Sequence, residues 1–172
     1  MAANTPGKLF TLVATRRDNP VHVFFTMAHP PLSRAQGADL AFQRALFRDG
    51  FADWGWQVPA MLDAMDRAPD LYCDQVKQIR LPAYTRGRVA LVGDAAAAPS
   101  FLTGQGSSLA VVGAYLLACA LSRAPDHQSA YDRDFRPFAE ANQNLIGTGE
   151  TLLIPKTQAG IDARNAMLAA MA

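Results

Sequence analysis

The residues best suited to chemistry lie in one stretch, Arg88 to Ser108, which reads RVALVGDAAAAPSFLTGQGSS. Val89 to Val92 is a continuous apolar run without alternation, the pattern of a strand buried on both faces of a parallel sheet. It ends at Gly93-Asp94, and after a loop of small residues Gly104-Gln105-Gly106 leads into a helix beginning near Ser107. In parallel sheets, ligands bind at the carboxyl ends of the strands. Glycines let backbone amides come close to a ligand, and a helix N-terminus offers unpaired N–H groups with a partial positive charge. A carboxylate at the strand end is placed to accept hydrogen bonds from ligand hydroxyls. Together these features describe a site for a polyhydroxylated ligand that carries negative charge. Read alone, a Gly-x-Gly before a helix serves equally well as a tight turn and cap.

Other chemistries lack their residues. Leu109 stands where G-x-G-x-x-G would need its third glycine, and neither a Walker motif nor a G-x-S-x-G elbow occurs. His22, His29 and His127 have no metal-ligand spacing and read as surface or structural histidines, so no metal site is expected. Cys73 and Cys119 form no redox or metal pair, and Cys119, inside an apolar run, is expected to be a buried free thiol. Trp54, Trp56 and Phe101 could line an aromatic substrate site or pack in a core; of Phe24 and Phe25, adjacent on a strand, at most one faces a pocket. No residue is assigned a catalytic role.

The elements that would position this stretch follow from periodicity and turn chemistry. Lys8 to Arg17 and Val21 to Ala28 are rich in β-branched and aromatic residues and flank Asp18-Asn19-Pro20, which predicts a hairpin. From Ser33, a candidate N-cap, to Gly50 and Phe51 the spacing of Phe42, Ala45, Leu46 and Asp49 predicts one helix. A second covers Val58 to Arg67, with Pro59 tolerated in its first turn. Leu71 to Leu81 reads as a third strand of an antiparallel sheet covered on one side by helices. Ser107 to Leu121 has almost no polar face and should be buried all round, and two more helices are expected over about His127–Ile146 and Ile161–Met171. The fold class is therefore α+β.

Composition narrows the function classes. Half of the 172 residues are apolar, 18% are charged, and the net charge is +1, with mean hydropathy +0.01. That excludes a disordered chain and gives no basic footprint for nucleic acid. The longest apolar run, Leu109 to Leu121, falls short of the about 20 residues of a membrane-spanning helix. The N-terminus MAANTPGK has no signal-peptide pattern. A cytoplasmic protein is expected, and the excess of arginine over lysine with frequent alanine fits a GC-rich bacterial source.

GRVALVGDAA…P…TGQGSSLAVVGAYLLACAL resembles the second flavin-contacting motif of the FAD-dependent aromatic hydroxylases, flavoprotein monooxygenases of the p-hydroxybenzoate hydroxylase fold. The likeness is strongest to the bacterial tetracycline-modifying and polyketide-tailoring branch. FRDGFADWGWQVPAML and DLYCDQVKQIRLPAYTRGR resemble the end of that family's substrate domain, and YDRDFRPFAEANQNL its C-terminal helices. The resemblance implies residues 1–82 as the end of a substrate-binding domain and 83–172 as the C-terminal part of an FAD-binding domain with terminal helices. It implies that Gly93 and Asp94 bind FAD, with the Asp94 carboxylate accepting from the ribityl hydroxyls. Pro99 would lie beside the isoalloxazine ring, and Gly104, Gln105, Gly106, Ser107 and Ser108 would bring backbone amides to its pyrimidine edge. NAD(P)H is the implied co-substrate, O2 the oxidant and an aromatic or polyketide-like molecule the substrate. Family members are roughly twice this length, and their N-terminal strand–GxGxxG–helix has no counterpart here. Where relatives often carry His or an aromatic residue, this chain has Ala97. The chain alone is thus expected to hold FAD weakly, and to form a homodimer or pair with a complementing N-terminal polypeptide, without nucleic acid or membrane. The alternative expectation is a truncated, non-catalytic paralogue serving as a ligand-binding or assembly subunit.

Overall fold

The computed structural model describes residues 1–14, 16, 20–123 and 125–171. The chain is α+β and divides into two compact units, one made of residues 1–75 and 151–172, the other of 76–150.

In the first unit β1 (Ala2–Thr5), β2 (Lys8–Val13) and β3 (His22–Met27) form an antiparallel sheet in the order β1-β2-β3. The expected hairpin is present, with Phe10 opposite Phe25; Asp18 and Asn19 of its turn lie outside the described residues. The strand expected over Leu71–Leu81 is not formed, and the third strand of the sheet is β1, from the N-terminus. Individual groups of residues 71–81 instead bond to other segments. Gln75, for example, both accepts from the Leu32 N–H at 3.1 Å and donates to the Leu32 carbonyl at 3.2 Å.

The single helix expected from Ser33 is two. α1 (Arg34–Ala38) starts at a Ser33–Gln36 capping box. The chain then extends at Asp39, whose carboxylate accepts from the N–H groups of Ala41 and Phe42 and starts α2 (Leu40–Gly50). A short carboxylate that caps one helix cannot also continue another, so it divides the run. α3 (Val58–Arg67) has the expected bounds, with proline in its first turn. The apolar faces of α2 and α3 cover one face of the sheet around Phe10, Phe51, Val58, Leu62 and Met65. Phe25 joins this core while Phe24 is exposed, as strand alternation requires.

The second unit contains almost no sheet. β4 (Thr85–Arg86) and β5 (Val89–Ala90) form a two-residue hairpin turned by Gly87 at φ +57°. The buried strand expected over Arg88–Val92 is therefore corrected: Val89 is 61% exposed. A parallel strand is buried only when neighbours lie on both sides, and β5 pairs with β4 alone. After α4 (Asp94–Ala97) and a 3-10 turn at Phe101–Thr103 comes α5 (Gly106–Arg123), packed on α6 (His127–Gln143). Gly113 makes this approach possible, since a Cβ there would lie 3.0 Å from the Phe135 ring.

α5 is not buried all round. Leu109, Gly113 and Ala120 are covered, but Val111, Tyr115 and Leu121 are 60–70% exposed, and Cys119 is only half-buried. α5 also extends past the apolar run, to 18 residues at mean hydropathy 1.4, which by length and composition alone would suffice to cross a membrane. The helix expected to reach Ile146 stops at Gln143. A further helix, α7 (Ile146–Leu153), follows before α8 (Gln158–Ala169), which begins and ends earlier than expected at a Thr157 cap.

An aromatic stack forms the core of this unit. The Tyr131 and Phe135 rings lie parallel at 5.5 Å, Tyr84 tilts against Phe135 at 5.2 Å, and the Arg136 guanidinium sits 4.6 Å above Tyr84. Asp132 ties β4 to α6, accepting from the Tyr84 N–H at 2.9 Å, the Thr85 hydroxyl at 3.0 Å and Arg136 at 2.9 Å. Replacing Asp132 by alanine orphans these donors, and urea denaturation should show a loss of about 2–3 kcal/mol. Gly149 in α7 is tighter still, because a Cβ would fall 1.9 Å from the Leu102 carbonyl oxygen. Gly149→Ala should therefore destabilise by about 3 kcal/mol or more. Gly147→Ala, where a Cβ meets nothing within 4 Å, should stabilise by up to about 1 kcal/mol; thermal melts of the two variants check the contrast.

Candidate functional site

The backbone leading to the site is held by α6. The Leu91 N–H donates to the Tyr84 carbonyl at 2.8 Å, and its own carbonyl accepts from the Tyr131 hydroxyl at 3.0 Å. Burial pushes the Tyr131 phenol up to about 12, so it keeps its proton and stays a donor throughout the physiological range. Beyond this anchor the chain turns at Gly93, φ +64° and ψ −142°, a conformation open in practice only to glycine. A Cβ on Gly93 would lie 3.6 Å from the Ala110 Cβ, so the turn packs against the first part of α5. Asp94 follows as the first residue of α4, with its side chain exposed. It sits four positions after the end of β5, since the strand stops at Ala90 rather than reaching Val92.

The loop after α4 is fixed at its carbonyls. The Ile79 N–H donates to the Ala98 carbonyl at 3.0 Å. Gln143, 2% exposed, donates through Nε2 to the carbonyls of Ile79 at 2.7 Å and Ala98 at 3.4 Å. Gln78 donates to the carbonyls of Pro99 at 2.8 Å and Gln143 at 2.7 Å. Pro99 is buried, and Ser100 after it adopts φ +82°. Such a backbone costs a non-glycine residue roughly 1–3 kcal/mol and persists only where the surroundings impose it. Here the Ser100 hydroxyl accepts from the Leu102 N–H, and its carbonyl accepts from the Thr103 hydroxyl.

Gly104 then turns at φ +66°, the Gln105 N–H donates to the Thr103 hydroxyl, and α5 begins at Gly106. The N–H groups of Gly106, Ser107 and Ser108 are the first of α5, which no intrahelical carbonyl can accept. A Cβ at Gly104 or Gly106 would meet nothing within 4 Å, so the backbone there is open to close approach. The structure packs Gly93 against the first part of α5 and places Asp94, Pro99 and residues 104–108 in the same unit. A row of backbone donors with helix polarity behind it can hold negative charge, and an exposed carboxylate such as that of Asp94 can accept from ligand hydroxyls.

Of the aromatic candidates, Trp54 and Trp56 belong to the first unit and Phe101, 65% exposed, to the second. Among the described residues no three His, Cys, Asp or Glu side chains gather as metal ligands. Sequence reasoning missed Gln78, Gln143 and the strained Ser100, since nothing in their local sequence announces a long-range hydrogen bond. Gly149 had a signal, two glycines one residue apart ahead of an apolar Leu-Leu-Ile run.

No family model matches the chain. A flavin-dependent monooxygenase from an unknown prokaryotic organism is 45% identical over 108 residues, covering 61% of this chain and 28% of that protein. The FAD-dependent monooxygenase asL4 of Sarocladium schorii is 31% identical over a stretch that covers 90% of this chain and 42% of its own length. Crystal structures of the tetracycline destructases Tet(51) and Tet(55) match at TM-scores of 0.73 and 0.76, with 31% and 33% identity. They cover 97% and 98% of this chain, which spans 46% of each. By sequence and by fold, the chain is similar to flavin-dependent monooxygenases and spans less than half of their length.

Proposed function

We propose that this chain is the flavin-edge part of an FAD-dependent monooxygenase that hydroxylates an aromatic or polyketide-like small molecule with NAD(P)H and O2. The observation that carries this reading is the Gly93-Asp94 turn packed on the start of α5, in a chain homologous to flavin-dependent monooxygenases. The residues fit such a cofactor. The open backbone at Gly104 and Gly106 accepts a flat ring edge, the first N–H groups of α5 suit an edge that gains negative charge on reduction, and the Asp94 carboxylate suits hydroxyls. When bound, FAD supplies the reduction by NAD(P)H and the activation of O2.

The protein's own residues position the cofactor. Gly104 to Ser108 orient the cofactor edge through backbone donors, and the α5 dipole favours its anionic form by about 0.3–1 kcal/mol when exposed and more when buried. Pro99, buried and fixed through its carbonyl by Gln78, holds the loop that would lie beside the ring. Asp94 holds the sugar-alcohol chain.

The reading includes a complementing polypeptide that supplies the remainder of the fold. Its support is the bare apolar surface of the second unit, Val89 on β5 and Val111, Tyr115 and Leu121 on α5. Each such side chain gains roughly 1.5–3 kcal/mol on full burial, and the free edge of β5 offers unpaired backbone groups to another strand.

Flavin fluorescence titration should give weak binding of FAD to this chain alone. Tight binding is expected after co-expression with the part of Tet(55) that this chain does not match. In that complex Asp94→Ala should weaken binding by about 1–3 kcal/mol. Light scattering over a dilution series should show the chain alone self-associating and the complex as one-to-one. No gain of FAD binding in a formed complex would favour the truncated, non-catalytic reading. A stable monomer at micromolar concentration would count against the missing cover.

A further inference from the structure

The first unit carries a feature that the flavin reading leaves unused. The loop Asp53-Trp54-Gly55-Trp56 after α2 closes one side of a cleft of about 360 Å3 whose other side is β1. That volume falls within the roughly 300–1,000 Å3 of small-molecule sites. Val58, 1% exposed, forms its floor. The Asn4 wall is rigid, because its amide donates to the carbonyls of Lys8 at 3.2 Å and Leu153 at 2.9 Å and accepts from Arg164 at 3.0 Å. Arg164 also donates to the Leu152 carbonyl and to Asn165.

Trp56 is the unusual residue. Its φ is +55°, the left-handed region that a bulky side chain adopts at a cost of roughly 1–3 kcal/mol. Burial does not repay that strain: Trp56 is 55% exposed and meets the core only edge-on, against Phe10 at 6.1 Å. Trp54 by contrast is anchored, 4.9 Å from the Phe51 ring. Trp56 lines the cleft with this strained backbone, as does Trp54. Asp53, exposed, is the charged side chain of its lining.

We propose that this cleft is a binding site for a planar aromatic molecule bearing an amine or ammonium group. The exposed Trp56 indole takes the ring through its π face, and the Asp53 carboxylate pairs with the cationic nitrogen. The site is independent of the flavin reading, since all of its residues lie in the first unit.

The chain has two tryptophans, so the two indole N–H signals of the nitrogen-15-labelled protein report on the cleft directly. Three matched probes are titrated in turn: 2-naphthylmethylammonium, neutral 2-naphthylmethanol and anionic 2-naphthoate. Both signals should shift saturably with the cation, which should bind about threefold or more tighter than the alcohol, as expected for an exposed charge pair, with the anion weakest. In Asp53→Asn the cation and the alcohol should bind alike. Trp56→Ala should lose binding of all three while keeping the backbone spectrum. Absence of saturation at either indole, equal binding of the anion, or a cation preference that survives in Asp53→Asn would overturn the proposal. Asp53 is exposed, so its variant decides the matter even if Trp56→Ala fails to fold.

Discussion

The second unit depends on one constraint: irregular backbone must find hydrogen-bond partners without a sheet to supply them. α6 provides them. Along its length Tyr131 reaches the Leu91 carbonyl, Asp132 the Tyr84 N–H, Arg136 the carbonyls of Leu81 and Pro82, and Gln143 those of Ile79 and Ala98. A single amphipathic helix thus serves as apolar support through Phe135 and Ala139 and as polar scaffold through its flanks. The close approach of α5, allowed by Gly113 beneath the Phe135 ring, then places the candidate site against that scaffold.

This arrangement gives the site a rigid loop beside open faces. Ser100 keeps a backbone conformation that it would leave if free, because its neighbours are fixed on both sides by Gln78, Gln143 and Thr103. The exposed face of α5 and the free edge of β5 lie in the same unit and are unsatisfied in the physical sense, with large apolar side chains in water. The second unit is therefore fixed at the loop before α5 and bare along one side of that helix. The first unit differs, since its sheet and the helices α2 and α3 close around a core of Phe10, Phe51, Val58 and Leu62.

Much of this was legible beforehand because it is local. Ser33 and Gln36 make a capping box within four residues, Pro59 marks the start of α3, and the alternation around Phe24 and Phe25 sorts core from surface. The helix start at Gly106 followed from Gly-Gln-Gly and the apolar run behind it. Where the reading failed, a neighbour decided. Residues 71–81 carry strand-like residues but lack a partner strand, and Asp39 looks like an ordinary helix-surface residue until its carboxylate caps α2.

The sequence by itself determined the α+β class, the positions of most helices, the β2–β3 hairpin and the glycine-bounded stretch from Gly93 to Ser108. These depend on turn chemistry and periodicity, forces that act over a few residues. Only the tertiary structure decided which side of α5 stays bare, that Val89 is exposed, that Ser100 and Trp56 are strained, and that Gln78 and Gln143 hold the Ala98–Pro99 carbonyls. Those outcomes turn on contacts between residues tens of positions apart. The same apolar run Val89–Val92 is a buried strand with neighbours on both sides and an exposed two-residue hairpin arm without them, because burial belongs to the assembly around a segment rather than to its residues.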